Sequence, residues 1–188
     1  MKKKLAFLVI VLVVVAGILA SRQYAKSPYG LYASSPDDPE TAVDLDQQWE
    51  EDARAYWYGA SQGSRLIPLD WLEALEQSGS TDLFMTPENI RKFNFIPRKV
   101  EVPNRDDYAQ LALGVVIDNS SDENLERTKL RWKANQSNQE NWVGLTCAAC
   151  HTGEIKYKGK EMRIDGGGAL IDFQSFIHSL NDLSLIHI

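Results

Sequence analysis

Thr146-Cys147-Ala148-Ala149-Cys150-His151-Thr152 is the stretch on which the reading of this 188-residue chain turns. It holds the only two cysteines and the spacing C-x-x-C-H, the attachment signature of a c-type haem. The spacing has a physical reason. On a helix, residues three and four apart share a face. Cys147 and Cys150 can then offer both sulfurs to the two vinyl groups of one porphyrin, while His151, four residues after Cys147, points its imidazole at the iron as proximal axial ligand. Thioether bonds make such a cofactor permanent, so less non-covalent affinity is needed to retain it.

Three other readings of the motif stand beside this one. A zinc site needs a second Cys/His pair at suitable spacing, and His178 is isolated. A thioredoxin-like redox pair belongs at a strand-to-helix junction of a βαβ unit, a pattern the flanking sequence lacks. A plain pair of buried or disulfide-bonded cysteines is the third.

Working outward, the N-terminus carries Lys2, Lys3 and Lys4 and then sixteen uncharged, mostly apolar residues, Leu5 to Ala20. This is the layout of an export signal. As a helix it reaches about 24 Å, slightly short of the ~30 Å hydrocarbon core. Residues 1–26 are therefore expected to be a signal peptide or an N-terminal membrane anchor, the choice left open, with the lysines on the cytoplasmic side. The body is then periplasmic or secreted, held to the inner membrane by residues 5–20 if they are retained. Export agrees with haem, because covalent attachment takes place on the outer side of the membrane.

The charge balance narrows the partners. The chain has 20 basic and 26 acidic residues, and removing its first twenty leaves 17 against 26, a net of −9. Such a surface repels phosphate backbones, so nucleic acid is not expected as a partner. Two cysteines also exclude a small disulfide-stapled scaffold. The other end of the chain has its own oddity. Leu183-Ser184-Leu185-Ile186-His187-Ile188 back-translates as CTG TCT CTT ATA CAC ATC, a transposase end sequence of sequencing adaptors. Residues 183–188 are therefore expected to be adaptor read-through, and His187 is set aside as a ligand.

Between the ends, Ser27 to Pro39 reads as a linker. A helix is expected over about residues 40–58, from Val43, Leu45, Trp49, Ala53, Tyr56 and Trp57. A second starts at Pro68 with the stripe Leu69, Leu72 and Leu75. A third starts at Thr86-Pro87-Glu88 and stops before Pro97. Leu111 to Ile117 suggests a buried strand, and 118–139 a polar loop anchored by Leu125, Leu130 and Trp132. Ile155, Tyr157, Met162 and Ile164 around Lys158-Gly159 suggest a hairpin. After Gly166-Gly167-Gly168 a last helix carries Leu170, Phe173, Phe176, Ile177 and Leu180. The Asn-x-Ser sequons at Asn119 and Asn135 carry no weight. The expected fold class is mainly α: an N-terminal helical region over 40–117, then a cytochrome c-like haem domain over 118–182 with a small β-hairpin.

The block Trp142 to Gly153, with Ile155-Lys156-Tyr157-Lys158-Gly159 and Arg163 to Phe173, resembles the exported dihaem cytochrome c peroxidase-like group, in particular the branch with the haem-dependent rubber oxygenases. The upstream run Gln62 to Trp71, with Leu75-Glu76-Gln77, is similar to that branch as well, and the resemblance spans about residues 45–180. It implies two covalent haems in two mainly helical domains, one meeting peroxide or dioxygen and the other passing electrons. Cys147, Cys150 and His151 match the first haem site; the second haem is expected in a C-terminal part absent from this chain. The resemblance assigns no catalytic residue.

The sixth haem ligand is open. Met162, in the expected hairpin, and His178, on the polar side of the last helix, are the in-chain candidates, and a catalytic haem can also keep the position open. Trp132 and Trp142 can pack on a porphyrin or in the core. Two functions follow from the residues: a haem oxidoreductase acting with peroxide or dioxygen on an organic substrate, or an electron-transfer module that passes electrons to a redox partner protein. Axial ligation separates them.

Overall fold

Left-handed residues, more than helix periodicity, set the path of this chain. Asn94, Asn104 and Gly114 have φ of 60°, 64° and 76°, values that asparagine tolerates and glycine takes freely. They divide the region after residue 93 into short extended segments. The computed structural model describes residues 42–125, 131–158 and 160–186.

The elements in order are β1 (Ala42–Asp44), α1 (Glu51–Gly59), β2 (Ile67–Pro68), α2 (Leu69–Ala74), α3 (Pro87–Lys92), β3 (Pro97–Glu101), β4 (Tyr108–Ala112), β5 (Val115–Asp118), β6 (Trp142–Leu145), α4 (Cys147–His151), β7 (Thr152–Tyr157), β8 (Lys160–Asp165) and α5 (Phe173–Ile186). The strands form two three-stranded sheets, β1-β8-β7 and β2-β6-β5, and the two-stranded ribbon β3-β4. All pairings are antiparallel except β1 with β8.

The mainly α expectation is overturned: about 28% of the described residues are helix and about 26% strand, with several antiparallel sheets. Two misreadings explain the difference. The apolar spacing over 40–58 suits one helix, yet Val43 sits in β1 opposite Met162 of β8. Gln48 at φ 60° then breaks the segment, and α1 starts only at Glu51. The motif helix is also short. It ends after five residues because the run that follows, Thr152 to Tyr157, pairs along its whole length with β8. The expected strand 111–117 is two, β4 and β5, parted at Gly114. At α3, Thr86 is the N-cap, its side chain accepting from the Asn89 N–H at 3.2 Å, with Pro87 in the first turn.

The main core runs through Leu69 and Leu72 of α2, Ile90 of α3, Val100, Leu111 and Val115 of the strands, and Phe176 and Leu180 of α5. Phe176 touches Phe84, Phe93 and Phe95 at ring-centroid separations of 5.0–5.6 Å. This cluster and the Asp172 N–H, which donates to the Phe93 carbonyl at 2.8 Å, lock the start of α5 to the turn after α3. Leu183 is buried and α5 continues to Ile186, as the apolar spacing dictates whatever the origin of those residues. The expected export segment and linker, 1–39, lie outside the described residues, as do Leu130 and His187. Among the described residues no helix is long and apolar enough to cross a membrane.

Candidate haem-attachment site

The strand β6 delivers the chain to Thr146, whose N–H donates to the Gly114 carbonyl at 2.8 Å. Thr146 caps α4, its hydroxyl accepting from the Ala148 N–H at 3.2 Å. Ala148 and Ala149 then face inward, 0% and 3% exposed. A Cβ on Gly114 would stand 2.0 Å from the Ala149 nitrogen, so the helix lies directly on the β4–β5 turn. Only glycine permits that approach, and its φ of 76° demands glycine a second time.

With the alanines inward, Cys147, Cys150 and His151 are all exposed. The two thiols are free and unbridged. Helical spacing puts the three on the outward face. The last carbonyls of α4 are taken up by the glycine loop after β8: the Ala169 N–H donates to Cys150 O at 2.8 Å and the Gly166 N–H to His151 O at 2.7 Å. So the polar backbone is satisfied while the side chains stay accessible.

Beneath the motif lies a polar cluster that sequence reasoning missed. The Asp165 carboxylate, 1% exposed, accepts from Thr152 Oγ1 at 2.9 Å, Tyr58 Oη at 2.8 Å and Arg54 Nε at 3.0 Å. Trp57 Nε1 donates to Thr152 Oγ1 at 3.1 Å, and the Asp165 backbone is clasped by Gln47 at 2.7 and 2.8 Å. Thr152 adjoins His151, so α1 holds the strand that leaves the motif. A signal was present: Thr152, Glu154, Arg163 and Asp165 are polar at alternate positions of two pairing strands. They form cross-strand pairs, Thr152 with Asp165 and Glu154 with Arg163, on the half-buried to buried face. The outward Ile155 and Tyr157 are 50% and 59% exposed. This hairpin is inverted, with polar groups inside and apolar groups outside. Leu170, 88% exposed, lines one cleft with Ile155.

The other sequence candidates sit elsewhere. Met162 is in the middle of β8, the central strand of its sheet, opposite Ile155. His178 is exposed on α5. Neither shares an element with His151. Trp132 stacks edge-on against Trp142 at 5.2 Å and against Trp71 of α2 at 6.1 Å, with the Lys133 ammonium 5.7 Å from its ring. Those rings have one another as partners. Among the described residues no group of three or more His, Cys, Asp or Glu side chains converges to hold a metal ion, so no four-ligand zinc cage is formed there. A c-type haem asks something different of the protein: two free thiols and one imidazole presented together on an accessible face. Cys147, Cys150 and His151 fit that demand.

No family model and no solved structure matches the chain. A protein of Sinorhizobium fredii (strain NBRC 101917 / NGR234), "Uncharacterized protein y4iJ", is 33% identical over 139 residues. The alignment takes in 70% of this chain but 22% of that protein, so the chain spans about a fifth of the relative's length.

Proposed function

We propose that this chain is an exported protein carrying one covalent c-type haem, with Cys147 and Cys150 as thioether links and His151 as proximal ligand, and that it forms part of a haem oxidoreductase. The observation that carries this reading is the outward presentation of three residues by one capped helix, with both thiols free. The inverted hairpin and its exposed apolar face support it, because a porphyrin is a large, flat apolar body that such a face would cover. When bound, the haem supplies one-electron chemistry and, at an iron with an open position, reaction with peroxide or dioxygen. The protein's own residues would hold it: the sulfurs fix its edge and Thr146, Gly114 and the glycine loop fix the helix that bears His151. The dihaem peroxidase-like and rubber-oxygenase assignment rests on the sequence blocks around the motif.

The test is maturation of the full chain in a host with haem-attachment machinery. A c-type pyridine haemochrome band and haem stain at the protein's mass are expected, and both should vanish in the Cys147→Ala/Cys150→Ala double variant. Haem that survives that substitution overturns the reading. A high-spin ferric spectrum that shifts with cyanide or peroxide identifies the oxidoreductase. A six-coordinate low-spin spectrum inert to both identifies an electron-transfer module instead.

A further inference from the structure

The strand β7 is the edge of its sheet, whose order is β1-β8-β7, and among the described residues no strand pairs with its other side. It borders open space: a cleft of about 580 Å³ runs beside Thr152 to Ile155, and Ile155, Lys156 and Tyr157 are exposed. Which backbone groups face that side follows from β8. The Leu45 N–H donates to Arg163 O, and the Gln47 side chain bonds both the N–H and the C=O of Asp165. Arg163 and Asp165 thus turn toward β1, so Met162 and Ile164 are the residues that bond to Ile155 and Gly153 of β7. By the same alternation Glu154 and Lys156 turn their N–H and C=O groups to the open edge, where no backbone partner among the described residues meets them.

Along that edge the sequence is its own complement. An antiparallel second copy centred on Ile155 sets Glu154 against Lys156 of the copy, and Lys156 against its Glu154. Registers centred on Glu154 or on Lys156 keep the backbone pattern but set like charges face to face, so charge selects the first. Lysine on an edge strand ordinarily discourages pairing; here one register turns it into an attraction. Glu154 Oε2 has no hydrogen-bond partner among the described residues, and the Lys156 side chain, 71% exposed, makes a surface pair with Glu161 that is worth little. On the other face Ile155 meets its own copy, and the exposed Tyr157 lies across from Gly153. Nothing in its own fold demands glycine there. Its φ is outside the left-handed region, and an added Cβ would meet nothing closer than Gly168 O at 3.7 Å. Glycine within a strand weakens it, and an aromatic ring across an edge glycine offsets that loss.

We propose that β7 is a self-association edge, through which two copies of this chain pair about a two-fold axis at Ile155 into one six-stranded sheet. Edge pairing leaves the faces of the sheet open, so the inference does not depend on the haem reading. A contact this short belongs to the small, reversible class of interfaces, below about 1,200 Å² in total.

The experiment follows the full chain by sedimentation from ~5 to ~500 µM and by amide exchange at both ends of that range. A reversible monomer–dimer equilibrium is expected. The Glu154 and Lys156 amides should gain protection with concentration, while the Ile155 amide, bonded inside the hairpin, stays protected throughout. Lys156→Glu sets like charges at both contacts and should raise the dissociation constant about tenfold or more. Lys156→Pro removes an N–H that the hairpin does not use, at a position where an edge strand tolerates proline. It should abolish the dimer and leave the Ile155 amide protected. A chain that stays monomeric throughout, or a dimer indifferent to both substitutions, overturns the proposal. So does protection of the Glu154 and Lys156 amides at every dilution, which would mean that another part of the chain covers β7.

Discussion

At the scale of single residues, the site depends on a glycine that carries no chemistry. Gly114 lets α4 lie on the β4–β5 turn, and a methyl group there would collide with the backbone of Ala148 and Ala149. Backbone atoms have nowhere to go, and the left-handed φ adds its own penalty. Gly114→Ala is expected to cost roughly 2–4 kcal/mol in urea unfolding, summing overpacking and left-handed strain. A loss below about 0.5 kcal/mol, within the range of neutral surface changes, would show that the helix is not seated as described. The C-x-x-C-H spacing was legible because its chemistry is local. Gly114 was not, because its requirement comes from a helix more than thirty residues later in the chain.

Among elements, the decisive junction is between α1 and the hairpin β7–β8. Asp165 gathers Arg54, Tyr58 and Thr152 onto one buried carboxylate, joining residues more than a hundred positions apart. Removing it takes the carboxylate partner from a guanidinium that is 17% exposed and from two hydroxyl donors. Breaking a buried pair from one side costs about 3–5 kcal/mol. Asp165→Ala should approach that loss in a denaturant titration and speed amide exchange along β7; full protection at Thr152 to Ile155 in the variant would contradict the role. The hairpin itself was legible from its turn and its apolar residues, but not which face turns inward. Period-two alternation says that two faces differ, and the usual expectation of apolar-in fails here because the interior face is made of charge and hydroxyl pairs.

For the molecule as a whole, the acidic composition makes pH an informative variable. Burial raises the Asp118 pKa, but hydrogen bonds from Ser61 and Ser120 and the charge of Arg65 outweigh it, so the group ends below its ordinary value. Asp172, taking the Ser175 N–H at the start of α5, is likewise lowered by that bond. A carboxyl whose folded pKa lies below its unfolded one stabilises the fold above the unfolded pKa, and that stability is lost as pH falls through the folded value. The urea midpoint should therefore drop between about pH 5 and pH 3, from carboxylates alone. Asp118→Asn should flatten that drop while lowering stability at pH 7, because it frees the loop Ser61 to Arg65 from β5; an unaltered acid limb would refute the assignment. The sequence by itself determined the C-x-x-C-H spacing, the cap at Thr86, the common helix face of Cys147, Cys150 and His151, and the acidic net charge, whereas the burial of Ala148 and Ala149 turned that face outward. The first four follow from spacing within one turn or from simple sums. Only the tertiary structure decided that the fold is α with β in near-equal parts, that α4 ends after five residues, and that Arg91 and Glu154 meet beside the motif. Strand pairing and charge balance are contacts between distant segments, and a periodicity that suits a helix is silent about whether a remote strand will claim the same residues.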